Sequence, residues 1–140
     1  MARGDHLRVR RSGYWHHGID CGDGTVIHYQ GHPLQPRRAH VARTSIHDFA
    51  RGGDYDVVAR ASYEDGSRVL ARAASRMGER SYHVFRNNCE HFASWCSSGR
   101  SASPQVRRAM LKVAGTVAVC GVCIALTVAL KKPIFPRVFL

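Results

Sequence analysis

The residues predict an α+β architecture, an antiparallel sheet packed on helices, with a C-terminal transmembrane helix appended. Three observations predict it. Two strand-like runs, residues 14–21 and 25–30, flank Gly22-Asp23-Gly24, a strong hairpin signal. Helical patterns dominate the later half, one amphipathic and one opening on a cysteine. Finally, residues 113–130 carry no charge over eighteen positions, about 27 Å of helix and enough to span a bilayer core.

Taken in order, residues 5–11 alternate weakly between polar and apolar and form a first strand, broken at Gly13. The two hairpin strands follow. His16 lies six residues before Gly22 and His28 six after it, so a tight turn brings them opposite each other, on one face of the sheet. His17 points to the other face. Residues 31–43 contain Pro33, Pro36 and three arginines and read as a surface loop. A short helix or turn spans 44–50, ended by Gly52-Gly53, and residues 55–59 give another strand. An amphipathic helix runs from about Ser67 to Met77, with Leu70, Ala73, Ala74 and Met77 on its apolar stripe and Gly78 as its stop. A short link leads to a helix from Cys89 to about Cys96, capped by Asn88. Residues 97–104 are a linker by composition. The resulting division is a domain at 1–100, a basic linker at 101–112, a membrane anchor at 113–130 and a short basic tail at 131–140.

The formal charge is +11, and all ten acidic residues lie at or before Glu90. Such a balance suits nucleic acid or the anionic face of a bilayer. Aromatic residues do not interleave with the arginines as a stacking platform, so no nucleic-acid partner is expected. Membrane lipids are the expected partner, and the residues give no oligomeric state. Basic residues flank both ends of the apolar run, which leaves orientation to other signals. With no apolar leader at the N-terminus, the expected placement is a single-pass C-terminal anchor with the domain on the cytoplasmic side.

The five cysteines form no regular framework, and reduced thiols suit a cytosolic domain. His6, His32, His40, His47 and His83 have no zinc-like spacing, so no metal or other cofactor is expected. Cys89 is different. It opens a helix, where unpaired N–H groups and the macrodipole favour a thiolate, and it sits in Asn-Asn-Cys-Glu-His-Phe. A nucleophilic thiol needs an imidazole to take its proton, and the hairpin histidines supply one. His91 lies about 200° round the helix from Cys89 and reads as a structural hydrogen-bonder.

His16-His17-Gly18-Ile19, Gly22-Asp23-Gly24 and Val26-Ile27-His28, followed by Asn88-Cys89-Glu90-His91-Phe92, resemble the lecithin:retinol acyltransferase-like family, in a bacterial-type form with a C-terminal hydrophobic anchor. The resemblance covers about residues 3–100. It implies a circularly permuted papain-like thiol hydrolase fold, with Cys89 as nucleophile, His16 as general base and His28 as the third polar residue orienting it. It further implies two-step acyl transfer from a lipid acyl ester through a Cys89 thioester, with the Cys89 N–H among the oxyanion donors. Asp20 and Cys21 depart from the expected apolar strand pair. Two other activities suit the same residues: a cysteine peptidase or amidase, and a membrane-tethered protein acting through partners without catalysis.

Overall fold

The hairpin is the seed of the sheet. β1 (His6–Arg11), β2 (Tyr14–Asp20) and β3 (Thr25–Gln30) are followed by β4 (His40–Ser45), α1 (Ile46–Ala50), β5 (Tyr55–Ala59), α2 (Tyr63–Ser75) and α3 (Cys89–Ser98). The computed structural model describes residues 2–116. All pairings are antiparallel, in the order β4-β3-β2-β1-β5. The fold is therefore α+β, a five-stranded antiparallel sheet with helices.

Residues Met1–Val106 form one compact unit and Arg107–Leu140 a second. In the first, alternation along the strands sorts two apolar clusters. Ile19, Ile27, Tyr29 and Val41 pack with Val69 and Ala73 of α2 and with Phe92, Ala93 and Cys96 of α3. Leu7, Val9 and Val26 meet Phe49 of α1 across the other cluster. In the second unit residues 107–116 are helical.

Four expectations change. The segment 31–43 is not all loop, since His40–Ser45 is a strand pairing β3 along its whole length. Only its proline-bearing part stays irregular, with a 3-10 turn at Pro36–Arg38. The amphipathic helix starts earlier, at Tyr63, because the Ser62 hydroxyl accepts from the Asp65 N–H at 3.1 Å. Its buried stripe is Gly66, Val69 and Ala73, leaving Ala74 and Met77 outside. The hairpin register is also displaced: His28 stands opposite Gly18, two residues along from His16. The turn spans four residues and closes by Cys21 N–H to Thr25 O at 2.9 Å, with Asp20 Oδ1 accepting from Gly22 N–H. A shift of two preserves the face, so His16 and His28 still point the same way.

Among the described residues, no helix is long and apolar enough to cross a membrane. Of the expected anchor at 113–130, residues 117–130 lie outside the described residues, as does the tail at 131–140.

Candidate active site

α3 begins at a well-made N-terminus. Asn88 Oδ1 accepts from the N–H groups of Glu90 and His91, each at 3.0 Å, and the His91 ring returns to the Asn88 backbone to complete a capping box. His91 is thus the structural hydrogen-bonder its position implied. Asn87, one residue earlier, is held by Arg76 at 2.8 Å, by Glu79 at 2.8 Å and by the Tyr29 hydroxyl at 3.0 Å. These contacts tie the approach to the cysteine to β3 and to the end of α2.

The Cys89 sulfur lies where β3 leaves β2. The β2–β3 ladder stops at Gly18, which leaves the β2 edge beyond it open. Into that gap come the sulfur, 3.8 Å from Trp15 O with the His17 N–H directed at it, and the Gln105 carboxamide. Burial outweighs the helix terminus. It pushes the Cys89 thiol up to about 11, a rise that the His17 N–H opposes and the Glu90 charge augments. At rest the group is a neutral thiol, not the thiolate that its helix position alone favours.

On the α1 face, His16 Nε2 and His28 Nδ1 lie 2.9 Å apart, and His28 Nε2 reaches Thr44 Oγ1 at 2.9 Å. Both rings pack on Phe49, at centroid distances of 5.5 and 5.2 Å. Gly18 makes the room: a Cβ there would stand 2.6 Å from Val26 Cγ1 and 2.9 Å from the Phe49 ring. Burial holds His16 well below the usual imidazole range, and the neighbouring His28 adds to that. Burial likewise lowers His28 to about 4. The structure brings His16 and His28 together and sets Cys89 against the backbone on either side of His16. Among the described residues, no hydrogen bond joins the sulfur to either ring.

The other face carries a second polar cluster. His6 Nε2 and His17 Nδ1 are 2.8 Å apart, and His17 Nε2 is 3.8 Å from Glu90 Oε1. Glu90 Oε2 accepts from the Ser103 hydroxyl and from Gln105 N–H at 3.1 Å. The Gln105 carboxamide takes Trp15 N–H at 2.9 Å and donates to Trp15 O at 3.1 Å, standing in for a missing strand. Burial holds His17 down at about 4 and His6 at about 3, so both are neutral beside the carboxylate. Sequence reading gave His6, Ser103 and Gln105 no role. Two adjacent histidines on one strand, only one of them explained, were the available signal. Among the described residues, no cluster of three or more His, Cys, Asp or Glu side chains forms a metal site.

A profile of the family described as "Lecithin retinol acyltransferase" matches residues 1–102, most of the chain and every element of the sheet. The chain belongs to the lecithin retinol acyltransferase family. Lecithin retinol acyltransferase of Rattus norvegicus is 28% identical over 134 residues, which cover 76% of this chain and 58% of the rat protein. The Mus musculus protein of the same name is also 28% identical, over 77% of this chain and 59% of its own. Phospholipase A and acyltransferase 4 of Homo sapiens is 29% identical over 127 residues, 79% of this chain and 77% of that protein. The chain therefore spans less than two thirds of the length of the rat and mouse proteins. His16, His28, Cys89 and Glu90 fall inside the stretch matched to the lecithin retinol acyltransferase family, whereas Ser103 and Gln105 lie just beyond it.

Proposed function

We propose that the protein is a thiol acyltransferase or acyl hydrolase acting on a lipid acyl ester, with Cys89 as nucleophile, His16 as general base and His28 orienting His16. One observation carries the reading: the Cys89 sulfur lies against the β2 backbone on both sides of His16, whose ring is held by His28. Membership of a family whose relatives are named for acyl transfer supports the same chemistry. With the Thr44 hydroxyl hydrogen directed at Ser45 O, 3.4 Å away, Thr44 accepts from His28 Nε2–H and His28 Nδ1 accepts from His16 Nε2–H. That tautomer leaves the His16 Nδ1 lone pair as the base.

The thiol proton passes to His16 as sulfur bonds to the ester carbonyl carbon. The tetrahedral oxyanion is met by the Cys89 N–H, which Asn88 leaves untaken because its Oδ1 holds the next two N–H groups. Collapse breaks the carbon–oxygen bond, and the departing alkoxide takes the proton back from His16. Water, an amine or an alcohol then attacks the thioester and regenerates the thiol. The permuted papain-like arrangement and the anchor at 113–130, with the domain on the cytoplasmic side, belong to the same proposal, since they bring the sulfur to acyl esters in a bilayer.

Intact-mass measurement after incubation with short-chain phosphatidylcholine tests it. The expected result is one acyl adduct, lost in Cys89→Ala and kept in Cys96→Ala, where the thiol is fully buried. Equal labelling of both variants overturns the assignment.

A further inference from the structure

The proposed reaction needs a sulfur on α3 to meet imidazoles carried by two strands, His16 on β2 and His28 on β3. Among the described residues, no hydrogen bond joins the sulfur to either ring. The β2–β3 ladder ends at Gly18 and His28, so from Tyr29 onward β3 no longer pairs with β2. Some other connection must set the distance between the histidine strands and the start of α3.

Four side chains span that gap. Tyr29 follows His28 and points to the opposite face, where its ring packs on Tyr82 and Phe92 at centroid distances of 5.2 and 5.8 Å. Its hydroxyl donates to the Glu79 carboxylate and accepts from Asn87 Nδ2 at 3.0 Å. Arg76 holds Glu79 through Nε and Nη2, each at 2.5 Å, and donates to Asn87 Oδ1 at 2.8 Å. Asn87 Nδ2 also donates to Glu79 Oε1 and to Ser81 O, both at 2.8 Å. The Asn87 backbone is fixed as well, since its N–H goes to His83 O at 2.8 Å and its O takes the His83 N–H at 3.0 Å. Every polar atom of the residue two places before Cys89 is therefore bound, and the bonds run to the residue next to His28. Glu79 O adds a tie to β4 by accepting from Val41 N–H at 2.9 Å.

The cluster lies against the core, with Tyr29 only 1% exposed. Arg76 holds the Glu79 carboxyl down at about 2, and burial pushes the Tyr29 phenol up, so no member titrates near neutral pH. A partly buried ion pair is a weak source of stability, because desolvation offsets its attraction. It does hold one geometry, and a reacting atom misplaced by about 1 Å can cost about 10²-fold in rate.

We propose that Tyr29, Arg76, Glu79 and Asn87 are positioning residues, a strut that sets the Cys89 sulfur within reach of His16 by tying the approach to α3 to the strand that carries His28. The strut rests on the acyl-transfer reading and deepens it with residues that act only through Cys89 and His28.

The test follows the pH profile of Cys89 adduct formation from dihexanoyl phosphatidylcholine, using the full chain as wild type, Asn87→Ala, Tyr29→Phe and Arg72→Ala. Loss of the strut moves the sulfur off its base, and the reaction falls back on the small thiolate fraction of a thiol at about 11. The expected result for Asn87→Ala is a rate about ten-fold lower at pH 7 that climbs between pH 7 and 9, where wild type stays level. Tyr29→Phe keeps the ring and removes the hydroxyl, so it should shift the profile the same way by less, and it decides the question if Asn87→Ala does not fold. Arg72→Ala removes a bond to Cys96 O further along α3 and should lower the unfolding midpoint while the profile stays level. A level profile in the strut variants overturns the strut, even where the rate has fallen, and so does a climbing profile in Arg72→Ala. Absence of any adduct in the wild type overturns the acyl-transfer reading instead. Alkylation of Cys89 by iodoacetamide, which needs no ester, then puts the strut to the same pH comparison with the same deciding outcomes.

Discussion

His16 and His17 are neighbours on one strand, both buried, and serve opposite faces of the sheet with different connections. His16 leads through His28 to Thr44 and borders an open recess. His17 is closed in by His6, Glu90 and Gln105, each a hydrogen-bonding group that ordinary water would otherwise satisfy. If His16 is the base, as proposed, burial alone does not separate a reactive imidazole from a structural one. What separates them is whether the far end of the contact chain is a packed carboxylate or a space where a substrate group fits.

Substitutions sharpen this contrast. His16→Ala should slow Cys89 adduct formation by about 10²–10⁴-fold, the range for a lost general base, and should also lower the unfolding midpoint because His28 Nδ1 loses its partner. His17→Ala should slow it less than ten-fold and act mainly on stability, because it takes away the hydrogen-bond partner of the buried His6 ring. Comparable rate losses from both would erase the distinction between the faces.

The next effect is on stability as pH falls. His17 at about 4 and His6 at about 3 lie below their unfolded value near 6.5, so the folded protein binds fewer protons than the unfolded chain. Their contribution is complete above pH 6.5 and drains away as pH drops through 6.5 towards 4. For His17 the loss is bounded at about 3 kcal/mol. Urea midpoints at pH 7 and 4.5 measure it, and His17→Gln should narrow the difference. A midpoint indifferent to pH over that range rules out a neutral, sequestered cluster.

Smaller again is Gln105→Ala, which removes the carboxamide from both Trp15 backbone groups and should cost about 1–2 kcal/mol. A variant as stable as wild type would mean that water replaces the amide without loss. Smallest is the response of the rate to moderate pH. With His16 depressed and Cys89 raised to about 11, the proposed mechanism runs from the neutral pair, so adduct formation should stay nearly level from pH 6.5 to well above 8. A steep rise across neutrality would point to a thiolate formed without His16.

Much of this was legible in the sequence. The hairpin glycines, the alternating strands and the Asn88 cap each act over a few residues, so local pattern reveals them. β4 was hidden because Pro33 and Pro36 coloured a segment whose second half pairs with β3, and pairing partners distant in sequence leave no local trace. The register of His28 is not legible locally, because it depends on how many residues the turn consumes. Asp20, unexpected in a strand, is buried with Oδ1 on the Gly22 N–H, and Cys21 joins the core beside α2 and α3. Ser103 and Gln105 sit in a stretch whose serines, glycine and proline read as a linker. The role of Gln105 comes from the strand edge it meets and that of Ser103 from the Glu90 carboxylate, neither of which composition records.

That edge has a further consequence. Where β3 parts from β2, bare ladder groups of Trp15 are an invitation to any passing strand, from another copy or from an unfolded neighbour. The Gln105 amide occupies those groups as a plug, so the same short stretch of backbone that steadies the sulfur is kept from seeding intermolecular sheet.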